Sequence, residues 1–410
     1  MRRPSPWLIL VVILLGGLIL REPRLQRVEN LFLGWFMEHA QAVLPPAPVT
    51  LVEIGREDFQ RLMHADEARP QPAGEAGRRS LSPLEYALFL QAVLEFQPTV
   101  IALEPIVIWR DRDKIQEQVF IDQAMRVPKL LVAVELGAKG PDDPLPDDVP
   151  TFTNVTGNRG DLLAFSGVKR QPDEDVRLIS TPGFVPPPSE RTDRLRVPML
   201  FQYRGEIVPS FPLQALILWL RIGPGEVKVD FGSRIVLPNG WEIPIDREGR
   251  MTINPAATQS VRRLTLDELL LAAQEHEKQR SPSINIDNLK EQIVLLRVAN
   301  DPLQPPSVFS TAIATIQNHA YVRPASWPVD WVIILAAALL SCFLWMISRT
   351  TLLLSAIIFA AGYAMLVLAL LGRDRIWLPT FLPLALLGFL LLVRLASPGP
   401  VEKVQEASGR

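Results

Sequence analysis

Three apolar runs lie close together near the end of the chain: Trp331–Ile347, Leu352–Leu371 and Leu378–Leu392. Only Ser348-Arg349-Thr350 and Gly372–Trp377 separate them. A bilayer core takes about 20 apolar residues in helix, and each run with its flanks supplies roughly that. Lipid offers the backbone no hydrogen-bond partner, so helices are the form in which such runs cross. The long polar stretch before them then sits on one side of a membrane. The segment after them, Ala396–Arg410, is too short to fold as a domain.

The first residues add a fourth apolar segment. Met-Arg-Arg-Pro-Ser-Pro precedes the run Trp7–Leu20, a basic start before an apolar core. This pattern fits a signal peptide or a signal anchor. No small-x-small cleavage site follows, because Arg21-Glu22-Pro23-Arg24 comes next, and this favours an uncleaved anchor. Arg2 and Arg3 keep the N-terminus in the cytoplasm by the positive-inside rule. Four spans then return the C-terminus to the cytoplasm and leave the large domain outside. Arg349, Arg394 and Lys403 fall inside as that rule asks, whereas Arg373 and Arg375 fall outside. The predicted organisation is a signal anchor at 1–28, an extracytoplasmic domain at 29–328, three transmembrane helices at 329–395 and a short cytoplasmic tail at 396–410. Both termini are then cytoplasmic.

A formal charge of −2 over 410 residues gives no electrostatic case for nucleic acid. The single cysteine, Cys342, lies inside a predicted span, so no intrachain disulfide can form.

Between the apolar segments the chain alternates strand and helix signals. Glu29–Val43 is amphipathic and reads as a helix leading away from the membrane. Val49–Ile54 reads as a buried strand. Ser82-Pro83-Leu84-Glu85 is a helix start: Ser82 caps, Pro83 suits the first turn and Glu85 completes a capping box. That helix runs to about Phe96, and Thr99–Glu104 is a second strand. Strand, helix, strand makes a right-handed crossover with parallel strands the expectation. Lys114–Arg126 and Leu130–Glu135 repeat the unit. Gly137–Pro198 is irregular and proline-rich, with short strands at Leu162–Phe165 and Val197–Tyr203. Pro212–Leu220 reads as a buried helix. Glu226–Leu237 and Trp241–Ile253 read as hairpins. Thr265–Glu268 is a second capping box, Ile293–Val298 a strand and Phe309–His319 a helix. The fold class is α/β: an extracytoplasmic mixed sheet with flanking helices, plus one N-terminal and three C-terminal transmembrane helices.

Four strands reach a polar group near their carboxyl ends, at Glu53, Glu104, Glu135 and Asp301. Open parallel sheets bind ligands in the crevice outside those ends. Carboxylates gathered there would suit a cation or a ligand's donors. The alternative is structural, with strands simply ending in polar residues and Glu135 pairing to a nearby Arg or Lys. Glu53 and Glu104 are the stronger ligand candidates because each interrupts an apolar run, and a buried carboxylate needs a partner. Ser166-Gly-Val-Lys169 matches an S-x-x-K motif by chance, since its S-D-N and K-T-G partners are missing, and Gly167 within it and Arg170-Gln-Pro172 after it do not suit the helix it should open. The four histidines lack zinc-ligand spacing. No cofactor motif is present, and no catalytic residue or metal ligand stands out. The predicted spans carry no ionisable residue in their interiors, which argues against a transporter or channel.

The order of these elements resembles the CHASE type 2 sensory domain, an extracytoplasmic input module associated with bacterial cyclases and kinases. Val49–Phe59 resembles its opening acidic strand and turn. Tyr86–Leu90 through Thr99–Pro105 resembles its helix and second strand, with Glu104 where the family usually has Asp. Phe120–Met125, Ile243–Asn254 and Leu289–Leu296 resemble its next helix, its proline–aspartate–glycine hairpin and its late strand. Gly77-Arg-Arg-Ser80 stands where the family has a tryptophan–proline motif. Arg297-Val298 replaces the glycine after the late strand. The resemblance implies one anchor, an outer α/β domain and three terminal spans, set in a bacterial inner membrane.

It also implies a role. The expected function is a non-enzymatic, membrane-bound sensor whose outer domain detects a signal and couples through its helices to a partner. The lipid bilayer, a protein partner in the membrane or cytoplasm and a homodimer are the partners to expect. The alternative is a structural scaffold of an envelope complex. A third reading, a hydrolase using Glu53 and Glu104, lacks placed acid–base partners.

Overall fold

The computed structural model describes residues 6–21, 23–40, 43–54, 81–109, 113–138, 149–188, 195–278, 289–298, 308–325, 327–343 and 349–396. In chain order, α1 (Pro6–Arg21) and α2 (Pro23–His39) come first. Then follow β1 (Val49–Ile54), α3 (Pro83–Leu94), β2 (Val100–Leu103), α4 (Lys114–Ala124) and β3 (Leu130–Gly137). Next are β4 (Gly167–Arg170), β5 (Thr181–Val185), α5 (Phe211–Leu220), β6 (Arg262–Thr265), α6 (Leu266–Glu277) and β7 (Ile293–Val298). The chain closes with α7 (Val308–Gln317), α8 (Trp327–Phe343), α9 (Arg349–Asp374) and α10 (Phe381–Ala396). These fall into two compact units, Val43–Tyr321 and the remainder.

The first unit is a three-layer α/β domain. Its main sheet runs β6-β1-β7-β2-β3, all parallel, with both β4 and β5 pairing β3. β4 is antiparallel and β5 parallel, so the sheet is mixed as expected. The strands are apolar on both faces because helices cover both. Val52, Ile54, Ile101, Leu103, Val294 and Leu296 pack under α3, α4 and α6. Val49, Leu51, Val100, Ala102, Ile293 and Leu295 pack under α5 and α7. Gly183 on β5 permits close approach there: a Cβ on it would lie 2.5 Å from the Phe211 ring of α5. Both expected capping boxes form, Ser82 with Glu85 at α3 and Thr265 with Glu268 at α6.

β1 and β2 are parallel, as the strand–helix–strand pattern predicts, with β7 inserted between them. One expectation needs correction: the predicted hairpin Trp241–Ile253 divides. Its turn forms, with the Asp246 amide donating to the Arg250 carbonyl and Gly249 at φ 68°. Its arms leave for different partners, however: Glu242–Pro244 pairs with Arg234–Val236, and Arg250–Thr252 pairs with Arg196–Pro198.

The second unit is a packed set of apolar helices. Val12, Ile334, Ala338, Leu382, Leu386 and Leu390 form its interior. Its outer faces are equally apolar, with Leu14, Leu18, Val332, Leu339, Ile357, Ile358, Met365 and Leu392 exposed. Of the four predicted spans, one meets the length and composition of a crossing helix among the described residues, Thr350–Arg373 at 24 residues. The apolar helices Trp7–Leu20, Pro328–Cys342 and Phe381–Ala396 are shorter. The third run begins its helix at Phe381 and not at Leu378, because Ile376-Trp377 forms a short strand with Arg323-Pro324.

Candidate functional site

The strand register builds one charged edge. Glu53 on β1 stands opposite Arg297 on β7, and Leu296 stands opposite Leu103 on β2. The Glu104 amide continues that ladder by donating to the Leu296 carbonyl at 3.1 Å. Side chains alternate along a strand, so Glu53 follows Val49 and Leu51, Arg297 follows Ile293 and Leu295, and Glu104 follows Val100 and Ala102. Glu135 likewise follows Leu131 and Ala133 on β3. Three of the four predicted carboxylates therefore share one edge and one face, the α5/α7 face. The fourth, Asp301, lies outside the described residues.

Helix direction favours charge of that sign. The Gln317 side chain at the end of α7 donates to the Pro48 carbonyl, just before β1. The Lys129 ammonium, just before β3, donates to the Leu218 carbonyl at the end of α5. Both helices thus run opposite to the strands and turn their positive amino ends toward the carboxylates.

Sequence reasoning missed Arg297 as a partner in this set. Its side chain is 6% exposed, and its Nη1 lies 3.8 Å from Oε1 of Glu53, which is 30% exposed. Its Nε has no hydrogen-bond partner among the described residues. Glu104 is buried just past the end of the next strand, β2. Glu135 is fully enclosed and meets two cations on β4. Arg170 donates to it through Nε at 2.8 Å and again through Nη2, and the Lys169 ammonium lies 3.4 Å away. The pairing of Glu135 to a nearby Arg or Lys is therefore present. Ser166–Lys169 opens strand β4 and no helix, so the chance S-x-x-K match lacks the geometry of that motif.

A second arrangement, in the helical unit, was also invisible in the sequence. Glu29 on α2 accepts three hydrogen bonds. Its Oε1 receives the Trp377 indole N–H at 2.9 Å and the Thr380 amide at 2.8 Å, and its Oε2 receives the Phe381 amide at 2.8 Å. Thr380 and Phe381 open α10, so one helix supplies the acidic cap of another. Burial pushes the Glu29 carboxyl up, and the three hydrogen bonds act against that shift. The segment between α9 and α10 is held from other directions as well. Phe36 of α2 meets the Trp377 ring edge-on, with centroids 5.7 Å apart. Arg323 and Ala325 donate their amides to the Arg375 and Trp377 carbonyls, at 2.9 and 2.8 Å. The Tyr363 hydroxyl of α9 donates to the Pro379 carbonyl at 2.6 Å. Both stretches that join the α/β unit to the helices, α2 before it and Arg323–Ala325 after it, therefore grip the segment that starts α10.

A family model described as CHASE2 domain matches residues 8–372. The chain belongs to this family of extracytoplasmic sensory domains, found in membrane proteins. No curated protein and no solved structure matches it.

Proposed function

We propose that the protein is a membrane-bound, non-enzymatic sensor whose outer α/β domain detects a signal and passes it through the helical unit to a partner. α1, α8, α9 and α10 cross the bilayer in this reading, and their exposed apolar faces support it. Both termini are cytoplasmic, and a reporter fused after Arg410 is expected to report cytoplasm. Glu53, Glu104 and Glu135 form the ligand edge, and Asp301, which lies outside the described residues, is the fourth candidate.

The observation that carries the reading is the grip on the start of α10. A signal needs an element whose position differs between two states and which both sites bias. α2 and Arg323–Ala325 are the covalent exits of the sensory unit, and they meet at Arg375–Phe381, where the last helix begins. A shift of either exit therefore acts on α10 directly.

The test places a photo-crosslinker at Leu392 of the full chain in native membranes and compares wild type with Glu29→Leu. The expected result is a several-fold change in crosslinking to a neighbouring protein at unchanged membrane level. Equal yield from both chains, in a complex of fixed stoichiometry, overturns coupling and favours an envelope scaffold.

A further inference from the structure

The opposite edge of the sheet, where the parallel strands begin, holds a feature that neither the family nor the proposed coupling accounts for. A hollow of about 500 Å³ opens there between the turns that enter β2, β3 and β7. Arg126, Lys129, Arg221 and Lys290 line it, against the single carboxylate of Glu291. This is a local excess of positive charge in a chain whose net charge is −2. Among the described residues none of the four cations forms an ion pair, with Glu291 or with any other carboxylate.

The structural uses of these cations leave two of the four over. Helices α3, α4 and α5 end at this edge, and their carbonyl ends attract positive charge. Lys129 answers α5 by donating to the Leu218 carbonyl at 2.6 Å. Burial and the neighbouring Arg221 pull its ammonium below the usual lysine range. Arg126 turns one N–H to the Gln123 side chain. Arg221 and Lys290 are exposed, and neither side chain has a hydrogen bond among the described residues. The backbone is unusual at the same place. Gln97, Arg221 and Glu291 line the hollow with φ of 52°, 59° and 65°. A non-glycine residue with positive φ is uncommon, and such residues gather at functional sites. Gln97 and Arg221 each follow a helix end, where glycine is the usual occupant.

We infer that this hollow is an anion site for a phosphate ester, contacted by Arg221 and Lys290 and backed by Arg126 and Lys129. Guanidinium and ammonium groups bind phosphate oxygens by short charge-assisted hydrogen bonds. The volume exceeds that of a bare phosphate ion and falls in the range of small-molecule pockets. The same chemistry is available from a soluble phosphate ester and from a lipid headgroup. Binding here does not depend on coupling through α10, and the two fail separately.

The test reads protection of Lys290 from an amine-reactive label, in the full chain held in phosphatidylcholine nanodiscs. One arm adds glycerol 3-phosphate with chloride as the control. The other replaces part of the lipid by phosphatidic acid and adds no soluble phosphate. Arg221→Gly removes one guanidinium while keeping the left-handed cap, so it separates loss of binding from loss of fold. Saturable protection by glycerol 3-phosphate, about tenfold weaker in Arg221→Gly, supports the site with a soluble source. Protection in the phosphatidic acid discs alone, lost in Arg221→Gly, supports it with a lipid source. No protection in either arm, or protection unchanged in Arg221→Gly, overturns it.

Discussion

At the carboxyl edge of the main sheet Glu135 is enclosed between Arg170 and Lys169, and Glu53 lies 3.8 Å from Arg297. At the amino edge Arg126, Lys129, Arg221 and Lys290 surround a hollow, and among the described residues none is paired with a carboxylate. The difference follows from burial. A carboxylate removed from water costs several kcal/mol unless a cation and hydrogen bonds replace its hydration. Glu135 has no exposed surface, so its partners are a condition of folding. Arg126, Arg221 and Lys290 keep their water, so leaving them unpaired costs little, and folding does not require them to be there. Stability therefore explains the pairs of the carboxyl edge and does not explain the unpaired cations of the amino edge.

Removing one partner at the carboxyl edge is the strongest way to break that contrast. Arg170→Met strips two hydrogen bonds from an enclosed carboxylate and leaves Lys169 alone against it. We expect a loss of about 2–3 kcal/mol in the thermal unfolding of the full chain. The double variant Glu135→Leu with Arg170→Met should recover most of it, because no uncompensated charge remains. A single variant as stable as wild type would mean that the enclosed pair is not structural.

Glu53→Gln asks the same question of a looser pair. Arg297 is buried, but the contact is long and Glu53 is partly in water. The expected loss is about 1 kcal/mol, less than for Arg170→Met. A loss as large as that of Arg170→Met would show that Arg297 depends on Glu53 as Glu135 depends on Arg170, and would make the whole carboxyl edge one rigid network.

What the sequence disclosed and withheld follows the range of the forces involved. β1 and β7 were read to the residue, because each is a short, mostly apolar and β-branched run bounded by polar or breaker residues. The two capping boxes were legible for the same reason, since their partners are three residues apart. β4 and β5 join the sheet from a proline-rich stretch without period, and their place comes from pairing with β3 alone. The divided hairpin failed because turn chemistry specifies the turn and says nothing of where the arms find partners. Arg297 was noticed only as a residue in place of glycine; its closeness to Glu53 depends on a register between strands far apart in the chain. Glu29 reads locally as one charge on an amphipathic helix, and its three donors lie 348 to 352 residues away.

The smallest expected effect bears on the amino edge. Arg221 sits at φ 59°, where an L side chain costs about 1–2 kcal/mol and glycine costs none. Glycine gives back part of that through its freer unfolded chain, about 0.5–1 kcal/mol. Arg221→Gly should therefore leave unfolding unchanged or raise stability by about 0.5 kcal/mol, and Lys290→Gln should fall within about 0.5 kcal/mol of wild type. Both are read from the same thermal unfolding as the carboxyl-edge variants. A loss above about 1 kcal/mol in Arg221→Gly would make the guanidinium a structural partner like Arg170, and the contrast between the two edges would disappear. A neutral or stabilising result leaves a strained, charged residue that the fold itself does not need.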